Sequence, residues 1–173
     1  SSHLDTTEVL DLRTMVFTPG PRLGTGRSGC AVVLLDQHRF MVLGGSDSTG
    51  RLDRTEVLDL EAMCFSPGPL MRSPRSRCAA EVLSGRHLLV LGGGDGFSHL
   101  DSTEVLDLET MTFSPGPRMK SRRSCCAAVR LDEQRVIVLG GFDCPRRLDA
   151  TEVLDLRTMA FMPGPRLHTQ RAA

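Results

Sequence analysis

Thr7-Glu8-Val9-Leu10-Asp11-Leu12 reads TEVLDL, and the same six residues begin again at Thr55, Thr103 and Thr151, each a step of 48 residues further on. A constant period of about 20–50 residues is the signature of a repeat architecture. Other features keep the same step. Glycine pairs stand at Gly44-Gly45, Gly92-Gly93 and Gly140-Gly141. Pro-Gly-Pro begins at Pro19, Pro67, Pro115 and Pro163, and Arg-Ser at Arg27, Arg75 and Arg123. A phenylalanine recurs at Phe17, Phe65, Phe113 and Phe161. No insertion interrupts the period, so each loop has the same length in every copy.

Each unit reads as four short strands. The first is CAVVLL (30–35), repeated as CAAEVL and CAAVRL, and a polar turn such as Asp36-Gln37-His38 follows it. The second is FMVLGG (40–45), repeated as LLVLGG and VIVLGG. After a loop rich in Gly, Asp and Ser comes TEVLDL as the third. The fourth passes through Met63-Cys64-Phe65 and stops at Pro67-Gly68-Pro69, since proline cannot continue a central strand. TEVLDLETM contains good helix formers. The run is nevertheless too short for a helix before Pro67 or Pro115, and turn-length connections suit an antiparallel meander.

The order of these elements resembles the kelch repeat. An Arg-Ser lead-in precedes an apolar strand, then come a strand ending in Gly-Gly, a variable loop, an acidic-apolar strand and an aromatic in the last strand. The resemblance covers essentially the whole chain. It departs where kelch repeats usually carry Tyr in the second strand, here Met41, Leu89 and Ile137, and Trp in the fourth, here the four phenylalanines. The fold the resemblance implies is all-β: a β-propeller of four-stranded antiparallel kelch-type blades. The expected organisation is a single segment over 1–173, with blades at 25–72, 73–120 and 121–168. Residues 1–24 form half a blade and 169–173 the start of the next. Three and a half blades leave open edges. The expectation is therefore either a piece of a longer propeller or self-association through those edges.

The 173 residues are 40% hydrophobic and 24% charged with zero net charge, a globular composition. That balance argues against a surface devoted to nucleic acid or to an anionic membrane. No apolar run reaches the roughly 20 residues of a membrane span, and the polar opening Ser1–Thr7 is not a signal peptide. Of the six cysteines, Cys30, Cys78 and Cys126 keep the 48-residue step, which reads as one small buried thiol used in each unit rather than a disulfide framework. The chain has no Asn and so no N-glycosylation acceptor. The expected compartment is the cytoplasm.

Glu8, Glu56, Glu104 and Glu152 share a strand face with leucines, and a carboxylate there needs a partner. The repeated Arg or nearby backbone amides are the expected partners; a solvated strand end is the alternative. The loops after Gly-Gly and the segments after Pro-Gly-Pro emerge together, forming a face rich in arginine. The opposite face collects Asp11, Asp36, Asp59, Glu61, Asp107, Glu109, Asp132, Glu133 and Asp155. Basic faces attract acidic partners and hold carboxylates or phosphates through bidentate Arg. In kelch propellers the corresponding face binds partners. The resemblance implies that role for Arg27, Ser28, Arg75, Ser76, Arg123 and Ser124, which could instead order the loop or pair with the repeated Glu. Arg51, His99, Arg146 and Arg147 sit in the variable loops, where specificity is expected.

The expected function is a non-catalytic protein–protein interaction module. Its basic loop face would bind an acidic peptide or protein segment, as a substrate-recognition part of a ubiquitin ligase adaptor or as a scaffold. No cofactor or metal is expected: His99, His168, Cys125, Cys126 and Cys144 lack ligand-pair spacing. Gly24-Thr25-Gly26-Arg27-Ser28-Gly29 is a formal G-x-G-x-x-G, but it precedes a strand rather than opening a helix. Two alternatives stand beside this reading. One is a piece of a kelch-type enzyme acting on sugars, with His99 and His168 as loose acid–base candidates; a copper-radical oxidase would need tyrosine, and the chain has none. The other is a purely structural repeat array.

Overall fold

The computed structural model describes residues 3–84 and 86–172. Ser1, Ser2, Gly85 and Ala173 lie outside the described residues, and with them the outer ends of the expected segments 1–24 and 169–173. β1 (Glu8–Asp11) and β2 (Val16–Pro19) pair as a ribbon. β3 (Ala31–Leu34), β4 (Arg39–Leu43), β5 (Thr55–Asp59) and β6 (Cys64–Pro67) form the first four-stranded antiparallel sheet, in chain order. β7 (Ala79–Ser84), β8 (His87–Leu91), β9 (Thr103–Asp107) and β10 (Thr112–Pro115) form the second. β11 (Ala127–Asp132) and β12 (Arg135–Leu139) begin the third. A small ribbon follows in the loop, β13 (Phe142–Asp143) with β14 (Arg146–Arg147), before β15 (Thr151–Asp155) and β16 (Ala160–Pro163) complete the sheet. That ribbon was not expected from the sequence. The innermost strands neighbour one another, with β7 beside β3 on one side and β11 on the other.

Every letter of TEVLDL has a job at this position. Thr55 Oγ1 donates to the Pro69 carbonyl at 2.7 Å, tying the third strand to the Pro-Gly-Pro end of the fourth, and Thr7, Thr103 and Thr151 repeat the bond. Asp59 Oδ1 accepts the backbone N–H groups of Glu61 and Ala62, closing the turn into the fourth strand, as Asp11, Asp107 and Asp155 do in theirs. The valine and first leucine point to opposite faces of the sheet. Leu106 and Leu154 are fully buried against the preceding sheet, each worth roughly 2 kcal/mol. The final leucine continues the pairing: Leu60 N–H donates to the His38 carbonyl.

The glutamate carries the heaviest duty. Arg75 and Glu104 are 1% and 2% exposed and form an ion pair at 2.9 Å. Arg123 pairs with Glu152 at 2.7 Å, and Arg27 pairs with Glu56. Each carboxylate also accepts two backbone amides: Arg72 and Ser73 donate to Glu104 at 2.7 and 3.1 Å. Both partners expected from sequence, the repeated Arg and the nearby amides, are thus engaged at once. Glu8, in the ribbon, is exposed.

The same arginine stitches neighbouring units. Its side chain serves its own unit, Arg75 Nη1 donating to the Gly92 and Ser102 carbonyls. Its backbone serves the unit before, donating to the Leu52 carbonyl at 2.9 Å and accepting from Gly45 N–H at 2.8 Å. This docking explains the first glycine of each pair. Gly44 has φ +59°, and a Cβ there would lie 2.2 Å from the Arg75 carbonyl oxygen. Two cores result. One lies between the first and second sheets around Met41, Leu43, Leu88, Val90 and Leu106; the other lies between the second and third around Leu89, Leu91, Val136, Val138 and Leu154. The two outermost sheet faces are open, with Val32 and Leu34 exposed on one and Val129 and Leu131 on the other.

All six cysteines are free. Burial pushes the Cys78 thiol up to about 12 and the Cys126 thiol to about 11, against the opposing pull of Arg75 and Arg123. Cys64 and Cys144 are exposed. Among the described residues no helix is long and apolar enough to cross a membrane.

Glu104→Gln leaves the Arg75 guanidinium buried without its counter-charge and is expected to cost roughly 3–5 kcal/mol in denaturant unfolding, and Arg75→Met with Glu104→Leu does not recover that loss, because the backbone amides and carbonyls that the pair satisfies lose their partners. The raised thiols remain protonated in the folded chain after those of the unfolded chain have ionised. Stability is therefore fully present below pH 9.0 and falls as pH climbs toward about 12. Replacing Cys78 and Cys126 with Ala should flatten that alkaline decline in unfolding curves.

Candidate functional site

Strand direction places the loops after Gly-Gly and the segments after Pro-Gly-Pro on one face, as the sequence implies. Many of its arginines are already spoken for. Arg27, Arg75 and Arg123 are buried beneath it on their glutamates. Arg22, Arg118 and Arg166 pair with Asp5, Asp101 and Asp149. The opposite face is correspondingly less acidic than its carboxylates suggest, since Asp36, Asp107, Glu109 and Asp132 pair with Arg39, Arg86 and Arg135.

Three of the remaining arginines, Arg51, Arg77 and Arg122, line one cleft of about 430 Å³. Arg51 enters from the first unit, Ser76, Arg77 and the loop Gly94–His99 from the second, and Arg122, Ser124, Asp143 and Cys144 from the third. Arg51, Arg77 and Arg122 have no ion-pair partner among the described residues. Phe97, at the loop tip, is wholly exposed. The His99 ring packs edge-on against Phe142 at 5.3 Å, and its enclosed Nδ1 has no hydrogen-bond partner among the described residues.

Backbone geometry sets Arg77 in place. Gly29, Arg77 and Cys125 hold the same position in successive units, and all three have a left-handed backbone, with φ of 62°, 54° and 51°. Glycine adopts that conformation freely, whereas a side chain there costs about 1–2 kcal/mol. A line of hydrogen bonds joins them: Arg77 N–H donates to the Gly29 carbonyl at 2.7 Å and Cys125 N–H to the Arg77 carbonyl at 2.8 Å.

The residues singled out from sequence therefore divide. Arg51, His99, Ser76 and Ser124 meet in the cleft. Arg27, Arg75 and Arg123 do not reach its surface; their guanidiniums face interior oxygens, so they position the loops that surround it. Ser28 lies on the exposed rim of the first unit and shares a hydrogen bond with Ser46 at 3.2 Å. Arg146 and Arg147 stand exposed on β14, away from the cleft lining. Arg77, Arg122 and Phe97 were not singled out as site residues. Their signal was divergence: position 77 is Gly29 and Cys125 in the other copies, and position 122 is Gly26 and Pro74.

Among the described residues no group of three His, Cys, Asp or Glu side chains has the geometry to hold a metal ion. No protein-family model matches the chain, and comparison with curated proteins finds no match.

The frame beneath the cleft is uneven. Arg75 Nη2 also donates to Ser102 Oγ at 3.0 Å, where the third unit has Ala150 and Arg123 Nη2 lacks that acceptor; separately, Arg75 Nε donates to Glu104 Oε1 at 3.1 Å, whereas Arg123 Nε has no partner among the described residues. Ala150→Ser supplies the missing hydroxyl and is expected to raise stability by roughly 0.5–1.5 kcal/mol, read as an upward shift in melting temperature.

Proposed function

We propose that the chain is a non-catalytic interaction module of the kelch-type β-propeller kind, whose arginine-lined cleft grips an acidic peptide or protein segment. The propeller arrangement is favoured by three four-stranded sheets side by side with their inner strands adjacent. The observation that carries the binding reading is the set of guanidiniums on Arg51, Arg77 and Arg122. They come from three successive units to one cleft and have no acid of their own. Exposed arginines lining a concave surface attract carboxylates and can bind them bidentately. The exposed ring of Phe97 at the rim offers the kind of aromatic anchor on which interfaces concentrate their energy.

Such a module would serve in an adaptor or scaffold, with a cytoplasmic setting as part of the proposal. Self-association belongs to it as well. The open faces carrying Val32 and Leu34, and Val129 and Leu131, are the same kinds of face that meet inside the stack, so each fits a further unit of this repeat.

The test is fluorescence polarisation with a labelled Glu-rich peptide and a Lys-rich peptide of equal length. The acidic peptide should bind and weaken as salt rises from 50 to 200 mM. Arg77→Ala and Arg122→Ala should each lower its affinity about tenfold, the loss of a hydrogen bond to a charged group. Equal binding of both peptides, or arginine variants that bind as well as the parent, would overturn the proposal.

A further inference from the structure

The cleft holds more donors than one carboxylate can use. Positions 28 and 46 of the first unit face each other as serines, their hydroxyls 3.2 Å apart. In the second unit the partner position is Gly94 and in the third it is Phe142, although the bridge between the two backbones is kept. Among the described residues Ser76 Oγ therefore has no hydrogen-bond partner, and Ser124 Oγ has only a 4.0 Å contact with Cys125 Sγ. Both residues are more than nine-tenths buried, at 4% and 3% exposure, and both line the cleft. Neither oxygen is sealed off from solvent as an unpartnered atom, so both hydroxyls are available at the cleft, where a ligand oxygen can accept from them.

Charge narrows the choice of ligand. Arg51, Arg77 and Arg122 bring three positive charges to the lining and Asp143 one negative, leaving a surplus of two. A carboxylate offers a single charge on two oxygens. A phosphomonoester offers about −1.5 to −2 at pH 7 on three strong acceptor oxygens. Guanidinium forks bind two of those oxygens at a time, and hydroxyls can take the third. The volume of about 430 Å³ leaves room for a phosphoryl group together with the chain that bears it.

We infer that the cleft recognises a phosphoserine or phosphothreonine side chain of the bound segment, with Arg51, Arg77 and Arg122 neutralising it and Ser76 and Ser124 donating to its oxygens. This inference rests on the proposed function and names the acidic group it takes.

The test uses isothermal titration of the full chain with three acidic hexapeptides that differ at one central position: Ser, Glu or phosphoserine. Inorganic phosphate is titrated alongside. The phosphoserine peptide should bind at least about tenfold tighter than the Glu peptide, the value of one added hydrogen bond to a charged group. Gly94→Ser rebuilds the serine pair of the first unit. A Cβ at Gly94 meets nothing closer than the Ser98 carbonyl oxygen at 3.5 Å, so the site accepts the side chain. This variant should weaken the phosphoserine peptide severalfold more than the Glu peptide. Ser76→Ala should do the same, and a thermal melt establishes that each variant is folded. Equal affinity for the Glu and phosphoserine peptides would overturn the inference while leaving the acidic-segment reading in place. Binding of neither peptide would overturn both. Inorganic phosphate binding as tightly as the phosphoserine peptide would make the ligand a free phosphate and overturn the peptide assignment.

Discussion

A guanidinium buried against a carboxylate holds this fold in register. A buried ion pair is an expensive way to gain stability, because both charges lose their water. Here the cost is offset by saturation. The Glu104 oxygens receive the Arg75 side chain and two backbone amides, while Arg75 also reaches two carbonyls and a hydroxyl. Those groups belong to the lead-in segment, the Gly-Gly turn and the loop before the third strand. One pair of side chains thus gathers three irregular segments that have no ladder of their own. A hydrophobic substitute could fill the same volume, but it could not satisfy the backbone groups that converge there.

The repeated positions and the divergent ones have separated their tasks. Thr, Glu and Asp of TEVLDL and the first glycine of each pair make the same contacts in each sheet, and the lead-in Arg keeps its glutamate and its two carbonyls in all three. Positions that differ between copies sit directly above them. Position 77 changes among Gly, Arg and Cys on an unchanged left-handed backbone. The position paired with Ser28, Ser76 and Ser124 changes among Ser, Gly and Phe on an unchanged bridge. A rigid backbone lets chemistry vary at its edge without disturbing the core, which is how loops on a scaffold come to carry function.

The four strands of each unit were legible because proline, glycine and the apolar runs punctuate the chain at a fixed step. The pairing of Glu with the repeated Arg was legible from a simpler constraint, that a carboxylate on a leucine face needs a partner. The surface charge was not legible to the same degree. Counting arginines gives no warning that Arg22, Arg118 and Arg166 meet aspartates 17 residues earlier, or that Arg39 and Arg135 close on acids in their own turns. Nor could the cleft be assembled on paper. Arg51, Arg77 and Arg122 are spread over 72 positions of sequence, and only the docking of successive sheets brings them together. The β13–β14 ribbon escaped notice because Phe142-Asp143 and Arg146-Arg147 are too short to show any periodicity.

The double attachment of the lead-in arginine, by backbone to one unit and by side chain to the next, sets a quantum for change in chain length. Removing or adding 48 residues joins an arginine to a glycine pair and a glutamate in the same relative positions, so the new junction is chemically identical to the old one. Any other length within the frame separates the carbonyl from its glycine or the guanidinium from its carboxylate, and strands a buried charge. Genes of this kind can therefore grow or shrink by whole units, while smaller edits are confined to the outer loops.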